Sequence, residues 1–173
     1  MKIVIDMSLS KYVQSDLCGR NATEWGKCFN NNELDQLECI FAELQGSEAV
    51  DEATIDGYFD EDPAMLANWI GKWHSEFFGD NVRYILNNFI GDYEIDPEDI
   101  DPSDGETMDY DSIENDLEYE IKQSLSHDGY DNVTDQVKYL VSDIVENYKS
   151  SKYPQTNDGL SDYLNNVQLS ELF

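Results

Sequence analysis

Residues 133–148 read Val-Thr-Asp-Gln-Val-Lys-Tyr-Leu-Val-Ser-Asp-Ile-Val-Glu-Asn-Tyr, and they carry the clearest helical pattern of the chain. Apolar side chains recur here every three or four residues, at Val133, Val137, Leu140, Val141, Ile144, Val145 and Tyr148. This spacing places them on one face of an α-helix, which has 3.6 residues per turn. The stretch therefore predicts a buried amphipathic helix and a mostly helical protein.

The same periodicity extends outward from this helix. Upstream, four apolar side chains recur every four residues from Ile113 to Leu125 and predict a helix that begins near Asp109 or Asp111. An apolar face over residues 34–44 predicts another helix, which Asn32 caps and Gly46 ends. The remaining predicted helices are a short one near 51–58, one that starts at Asp62-Pro63, one over 82–90 that follows a break at Gly79-Asp80 and ends at Gly91, and a last one over 160–167.

Two short segments favour β-structure instead. Residues 2–7 are rich in β-branched side chains and predict a strand, and residues 92–96 are a candidate second strand that would pair with it. The predicted fold class is therefore α+β, mostly helical, with a small β-sheet that includes residues 2–7. The predicted organisation is an N-terminal α+β lobe over 1–91, an acidic linker or strand plus loop over 92–111, and a C-terminal helical lobe over 112–173.

Negative charge dominates the composition. The chain of 173 residues has 38 Asp plus Glu against 10 Lys plus Arg, a formal net charge of −28. Residues 92–120 hold 14 of the acids and no Lys or Arg, so half of the net charge lies in one sixth of the chain. Such a field attracts basic protein surfaces and repels nucleic acids and anionic membranes. We therefore predict a basic partner protein that itself binds nucleic acid, with no direct nucleic-acid binding and no membrane binding by this chain.

The acids of residues 96–120 are the predicted partner-binding surface, which imitates the phosphate rows of nucleic acid. On a helix, Glu114 and Glu118 lie about 6 Å apart along the axis, as do Asp116 and Glu120. Like charges at this spacing destabilise a helix, and residues 92–120 contain no Lys or Arg that could relieve them. The predicted surface comprises Asp96, Glu98, Asp99, Asp101, Asp104, Glu106, Asp109, Asp111, Glu114, Asp116, Glu118 and Glu120.

Tyrosines interrupt this acidic segment. Tyr93, Tyr110 and Tyr119, if exposed, would add contact area and would suit an arginine-rich groove together with the carboxylates. The alternative for the whole segment is a solvated acidic face or a flexible linker with no partner.

A calcium loop and an active site are both disfavoured. An EF-hand needs Gly at its sixth position and Glu at its twelfth. Counted from Asp96, these positions hold Asp101 and Thr107. No nucleophile elbow, phosphate loop or dinucleotide fingerprint occurs, and neither His74 nor His127 is placed as a catalytic base. We predict no enzymatic activity, no cofactor and no dedicated metal site.

The three cysteines and the N-terminus indicate a cytoplasmic protein. Cys18, Cys28 and Cys39 are odd in number and match no zinc spacing, so reduced thiols are expected. Asp6 interrupts what would be the apolar core of a signal peptide. No apolar run approaches the roughly 20 residues that a membrane span needs.

Four pieces of the N-terminal part carry a resemblance: residues 1–5 (Met-Lys-Ile-Val-Ile), 34–38 (Leu-Asp-Gln-Leu-Glu), 55–59 (Ile-Asp-Gly-Tyr-Phe) and 67–71 (Ala-Asn-Trp-Ile-Gly). Through them, residues 1–72 resemble a family of small acidic proteins carried by phages and conjugative elements of low-GC Gram-positive bacteria. The resemblance implies a mobile-element origin and a bacterial host cytoplasm, and it assigns no catalytic residue.

By class, the length, the charge and the helical C-terminal half are similar to antirestriction and anti-CRISPR proteins that mimic DNA. We therefore predict an anti-defence inhibitor that blocks the nucleic-acid-binding groove of a host nuclease, either a type II CRISPR effector or a restriction enzyme. The alternative is a non-enzymatic protein–protein adaptor of a mobile element, whose acidic surface provides only solubility.

Overall fold

Helices account for the regular structure of the protein wherever the chain is described. The computed structural model describes residues 7–46, 51–99 and 105–171. In these ranges the α-helices are α1 (Leu9–Tyr12), α2 (Arg20–Trp25), α3 (Asn31–Gln45), α4 (Glu52–Glu61), α5 (Pro63–Trp69), α6 (Ser75–Asn88), α7 (Tyr110–His127), α8 (Thr134–Lys149) and α9 (Asn157–Asn166). Short 3₁₀ turns occupy Gly26–Cys28, Asp131–Val133 and Leu169–Glu171.

The predicted α+β class is wrong, because the described ranges contain helices and no β-strand. Residues 2–6 of the predicted first strand lie outside these ranges, and Met7 is not in a strand. The candidate second strand, 92–96, forms one isolated antiparallel bridge, between Glu94 and Met108. Pro97 follows at once and has no backbone N–H to extend the pairing, so the bridge does not grow into a ladder.

Local side-chain signals set the ends of α3. The Asn30 side chain accepts a hydrogen bond from the Glu33 backbone N–H, and the Glu33 carboxylate accepts one from the Asn30 N–H. This capping box starts the helix at Asn31, so the cap predicted at Asn32 is two residues late. Gly46 ends α3 with φ of 63°, a left-handed conformation that glycine adopts at little cost.

The described contacts divide the chain into two compact units. Unit 1 is Met1–Phe77 and unit 2 is Phe78–Phe173. The boundary between the two units falls inside α6. The lobe boundaries expected from the sequence, at 91 and 111, stay predictions.

Unit 1 is built around buried aromatic rings. α1 packs on α3, α2 on α4, and α4 on α5. Phe41 stacks on Tyr58 with ring centroids 4.7 Å apart and meets Phe59 and Trp69 edge-on. Offset and edge-on ring pairs of this kind add to the stabilisation from buried area.

Unit 2 is organised by the hairpin of α7 and α8, whose short connection makes them antiparallel neighbours. Ile113, Leu117, Ile121 and Leu125 are buried on α7, and all seven periodic apolar residues of 133–148 are buried, so both predicted apolar faces are confirmed. α9 is tied to α6 through Arg83, whose guanidinium donates to the Leu164 and Val167 carbonyls. Arg83 therefore satisfies backbone carbonyls and makes no ion pair with an acid among the described residues.

Candidate functional site

The acidic segment begins as a loop that is closed at its base. The Ile95 N–H donates to the Thr107 carbonyl at 3.1 Å, and the Asp109 N–H donates to the Tyr93 carbonyl at 2.7 Å. Between these two bonds Met108 is fully buried. The chain is thus fixed on the folded unit at residues 93–95 and again at 107–109, which a free tail would not allow.

The N-terminal end of α9 anchors the start of the segment. The Asn157 side chain donates to Asp92 Oδ1 at 3.0 Å and accepts from the Tyr93 N–H at 3.1 Å. The Asn157 N–H donates to Glu94 Oε1 at 3.2 Å. The first turn of a helix has unpaired N–H groups and a partial positive charge, so carboxylates are stabilised there. Asp92 and Glu94 are therefore held by unit 2 itself.

The acids of the predicted surface that precede α7 are exposed wherever the structure describes them. Asp96 accepts from the Glu98 N–H in a local turn at 3.0 Å, and the Glu98 and Asp99 carboxylates have no hydrogen bond or ion pair among the described residues. Glu106 pairs with Lys149 at 2.7 Å. Asp101 and Asp104 lie outside the described residues.

The helical acids occupy two flanks of α7. At about 100° per residue, Asp116 and Glu120 lie on one side of the buried stripe. Asp111, Glu114 and Glu118 lie on the other. The stripe itself is fully buried, which fixes the rotation of the helix and therefore the direction of each row. The structure brings the helical acids together as two short rows and not as one continuous patch.

Half of the described carboxylates in the predicted surface have partners. Asp109 caps α7 by accepting from the Ser112 N–H at 3.0 Å, Asp116 accepts from the Tyr93 hydroxyl at 3.0 Å, and Glu118 pairs with Lys122 at 2.6 Å. With Asp96 and Glu106 these make five. The other five have no hydrogen bond or ion pair in the described parts of the chain: Glu98, Asp99, Asp111, Glu114 and Glu120.

Of the three tyrosines considered as exposed contacts, Tyr119 is exposed and the other two are not. Tyr119 is 62% exposed, whereas Tyr93 is buried and Tyr110 is half-buried, with its hydroxyl donating to Gln155 at 2.6 Å. Burial, the hydrogen bond to Asp116 and the negative charge of Asp116 and Glu120 raise the pKa of Tyr93. The Tyr93 hydroxyl therefore stays protonated and continues to donate to Asp116.

Two residues that sequence reasoning did not single out stand beside these acids. Tyr84 and Ile90 are 69% and 93% exposed, and with Tyr119 they border a groove at the end of α6. Ile90 was placed on the apolar face of a helix over 82–90, but α6 ends at Asn88, so that face no longer orients it.

The described residues contain no group of three or more His, Cys, Asp or Glu side chains arranged to hold a metal ion. Within the same ranges, no helix combines the length and the apolar character needed to cross a bilayer. Comparison with known proteins finds no matching family model, no matching curated protein and no matching solved structure. The resemblance over residues 1–72 therefore stays a prediction.

Proposed function

We propose that this protein is an anti-defence inhibitor that works as an acidic DNA mimic in the cytoplasm of a bacterial host. Its target is the nucleic-acid-binding groove of a host nuclease, either a type II CRISPR effector or a restriction enzyme. The observation that carries the proposal is that five carboxylates between residues 98 and 120 have no hydrogen bond or ion pair among the described residues. Three of them, Asp111, Glu114 and Glu120, stand on α7, whose rotation is fixed by its buried side chains.

The electrostatic cost of this arrangement supports a partner. On α7, Asp116 and Glu120 repel each other across one helical turn, as do Glu114 and Glu118. Among the described residues, Glu118 is the only one of these four with a lysine to offset the repulsion. A basic surface would remove this repulsion on binding, and both surfaces would release counterions. Affinity should therefore fall as the salt concentration rises.

The geometry of the rows supports imitation of DNA. The two rows flank one helix, which with its side chains is about 10–12 Å wide. The major groove of B-DNA is about 12 Å wide. Arg and Lys side chains placed to hold phosphates on either side of that groove would reach carboxylates at a similar separation, with charge-assisted hydrogen bonds.

Competition against DNA tests the proposal. The protein is titrated into a complex of labelled duplex DNA with each candidate nuclease, at low and at high salt. We expect displacement of the DNA at low salt and weaker displacement at high salt. Undiminished DNA binding at saturating inhibitor would reject the mimic mechanism for that nuclease.

A charge-matched pair of variants makes the test specific. One variant converts to amides the five acids that have no partner among the described residues: Glu98→Gln, Asp99→Asn, Asp111→Asn, Glu114→Gln and Glu120→Gln. The control makes the same change at five exposed acids of unit 1: Asp16→Asn, Glu24→Gln, Glu43→Gln, Asp60→Asn and Glu61→Gln. At about 0.5 kcal/mol per exposed pair, the first variant should inhibit about 50-fold more weakly. Equal loss in both variants would mean that total charge, and not this surface, drives binding.

The adaptor is a second candidate because unit 1 has an apolar depression. A hollow of about 450 Å³ is lined by Ile40, Trp69 and Ile70, none of which is fully buried. Exposed apolar surface of this kind is typical of protein-binding sites. Under the adaptor hypothesis, Ile70→Ser abolishes partner capture while the five amide substitutions leave it intact; the mimic hypothesis expects the reverse.

A further inference from the structure

A groove with a volume of about 530 Å³ opens on unit 2 between the end of α6 and the middle of α7. Its lining includes Tyr84, Ile90, Tyr93, Asp116, Tyr119 and Glu120. Three of these side chains, at 84, 90 and 119, are more than half exposed, so aromatic and apolar surface faces solvent beside two carboxylates. Isolated exposed apolar residues are ordinary, but three that border one groove indicate a contact surface.

The inner wall of the groove is rigid. The Phe89 and Tyr93 rings stack in parallel, with centroids 5.4 Å apart and 5° between their planes. Gly91 makes the approach possible, because a Cβ on that residue would lie 2.2 Å from the Tyr93 ring. The Tyr93 hydroxyl holds Asp116 Oδ2 at 3.0 Å, so the carboxylate has a set orientation with Oδ1 left to accept from a ligand.

Every fixed charge at the groove is negative. Glu120 follows Asp116 by one turn and has no hydrogen bond or ion pair among the described residues. The last turn of α6, which forms the opposite rim, has no basic residue to offset the partial negative charge of a helix C-terminus. A cation in the groove would interact favourably with both carboxylates and with this helix end.

From this combination we infer that the groove binds the side chain of an arginine on the partner protein. A guanidinium is planar, donates two parallel hydrogen bonds to a carboxylate and stacks on aromatic faces, and the groove offers carboxylates beside exposed tyrosine rings. A lysine ammonium lacks the planar, bidentate geometry. The inference rests on the proposed function, in which the partner surface is basic, and it names the residue type recognised at one point of that surface.

The other occupants fit less well. An anion is repelled by Asp116 and Glu120. A purely apolar side chain would remove water from these carboxylates without supplying a hydrogen bond, which is unfavourable.

Peptide binding to the full chain tests the inference without a nuclease. The probes are blocked Gly-Arg-Gly-Arg-Gly, Gly-Lys-Gly-Lys-Gly and Gly-Leu-Gly-Leu-Gly pentapeptides, and the readout is backbone ¹⁵N–¹H chemical shift. We expect the arginine peptide to shift residues 84–93 and 116–120 most strongly and to bind at least about threefold more tightly than the lysine peptide. The inference is overturned by equal binding of the two, by shifts spread over all acidic segments, by preference for the leucine peptide, or by self-association that fills the groove without peptide.

Matched variants on one helix locate the site. Glu120→Gln should weaken arginine-peptide binding about fivefold, whereas Glu114→Gln, the same change on the opposite flank of α7, should alter it less than about twofold. Tyr119→Leu keeps an apolar side chain but removes the ring face, and it should weaken binding about threefold. Glu120 and Tyr119 are exposed, so these variants should fold, and unchanged shifts elsewhere verify it. Equal losses of arginine-peptide affinity in Glu120→Gln and Glu114→Gln would refute binding of arginine in this groove.

The two proposals fail separately. If DNA is displaced from a nuclease but the Glu120→Gln and Glu114→Gln variants inhibit equally, arginine binding by the groove is rejected and the DNA-mimic mechanism is retained. If the arginine peptide binds the groove but no candidate nuclease loses its DNA, the mimic is wrong and the groove stands.

Discussion

The interior contacts of unit 1 and the outer flanks of α7 in unit 2 show two different roles for carboxylates. In unit 1, Asp56 Oδ1 accepts from the Tyr12 hydroxyl at 3.2 Å and from the Gly19 N–H at 3.0 Å, and the Glu38 carboxylate accepts from the Leu9 N–H at 2.8 Å. These acids join segments that are 29 to 44 residues apart. In unit 2, Glu114 and Glu120 stand on α7 with no partner among the described residues.

The difference lies in what surrounds each acid and not in the residue type. Asp56 lies beside a fully buried tyrosine and a backbone N–H, both of which need an acceptor. Glu120 is exposed to water, which satisfies it while leaving its charge to act on other molecules. A high acid content therefore has two separable parts, one that holds the fold and one that is open to a partner.

The largest expected effect on stability comes from removing the hydrogen bonds that Asp56 accepts within unit 1. Asp56→Ala removes the acceptor for Tyr12 and Gly19 together and should lower the free energy of unfolding of unit 1 by about 2–3 kcal/mol. All three tryptophans, Trp25, Trp69 and Trp73, lie in unit 1, so tryptophan fluorescence during denaturant unfolding follows this unit.

Asp60→Ala is the control for that measurement. Asp60 is exposed on the same helix, α4, and the change should cost less than about 0.5 kcal/mol. Equal losses in the two variants would show that the hydrogen bonds of Asp56 contribute nothing beyond helix propensity.

A smaller effect on stability is expected at Asp109, where two substitutions separate the contribution of its charge from that of its capping hydrogen bond. Asp109→Ala deletes the N-cap of α7 and should destabilise unit 2 by about 1 kcal/mol, measured as helical circular dichroism during unfolding. Asp109→Asn removes the charge but keeps a capping oxygen, so it should lower the stability of unit 2 by only about 0.3 kcal/mol. If Asn were as costly as Ala, the stabilisation would come from the charge and not from the cap.

The smallest expected effect is a dependence of the stability of unit 1 on pH, which arises from His74. Burial lowers the pKa of His74, while the nearby Glu33 carboxylate, whose Oε2 lies 3.4 Å from His74 Nε2, opposes the shift. Because the folded protein binds this proton less tightly than the unfolded chain does, stability should fall as the pH drops through the ordinary histidine pKa of about 6.5. Tryptophan fluorescence unfolding between pH 7.5 and 5.5 measures it.

His74→Gln serves as the reference for this slope, because it removes the titrating imidazole and keeps a polar side chain at the same position. We expect a flatter pH dependence of stability in the variant than in the unchanged protein. A steeper slope after His74→Gln would contradict the assigned direction of the shift.

Helices were predictable from the sequence where their apolar residues recur on a single face or where a local capping signal marks their start. The stripes of α7 and α8 and the start of α5 at Asp62-Pro63 were correct, because periodicity and capping are local. The break predicted at Gly79-Asp80 is wrong: α6 continues through it, since a helical glycine costs only about 1 kcal/mol and buried Phe78, Val82 and Leu86 hold the helix on both sides.

The acidic surface was predictable only as a segment. That residues 92–120 carry a dense negative charge follows from composition, and so does the repulsion between acids one turn apart. Their individual roles do not follow from it, because Asp116 is held by a hydroxyl 23 residues away and Asp92 by an amide 65 residues away.

The sequence alone thus determined the helical faces and the excess of charge, since both depend on residues close along the chain. The tertiary structure alone decided which carboxylates accept hydrogen bonds within the fold and which have no partner among the described residues. It also decided that Tyr84, Ile90 and Tyr119 border one groove. The physical reason is range: a hydrogen bond needs its partner within about 3 Å, and only the packing of distant helices determines which groups come that close.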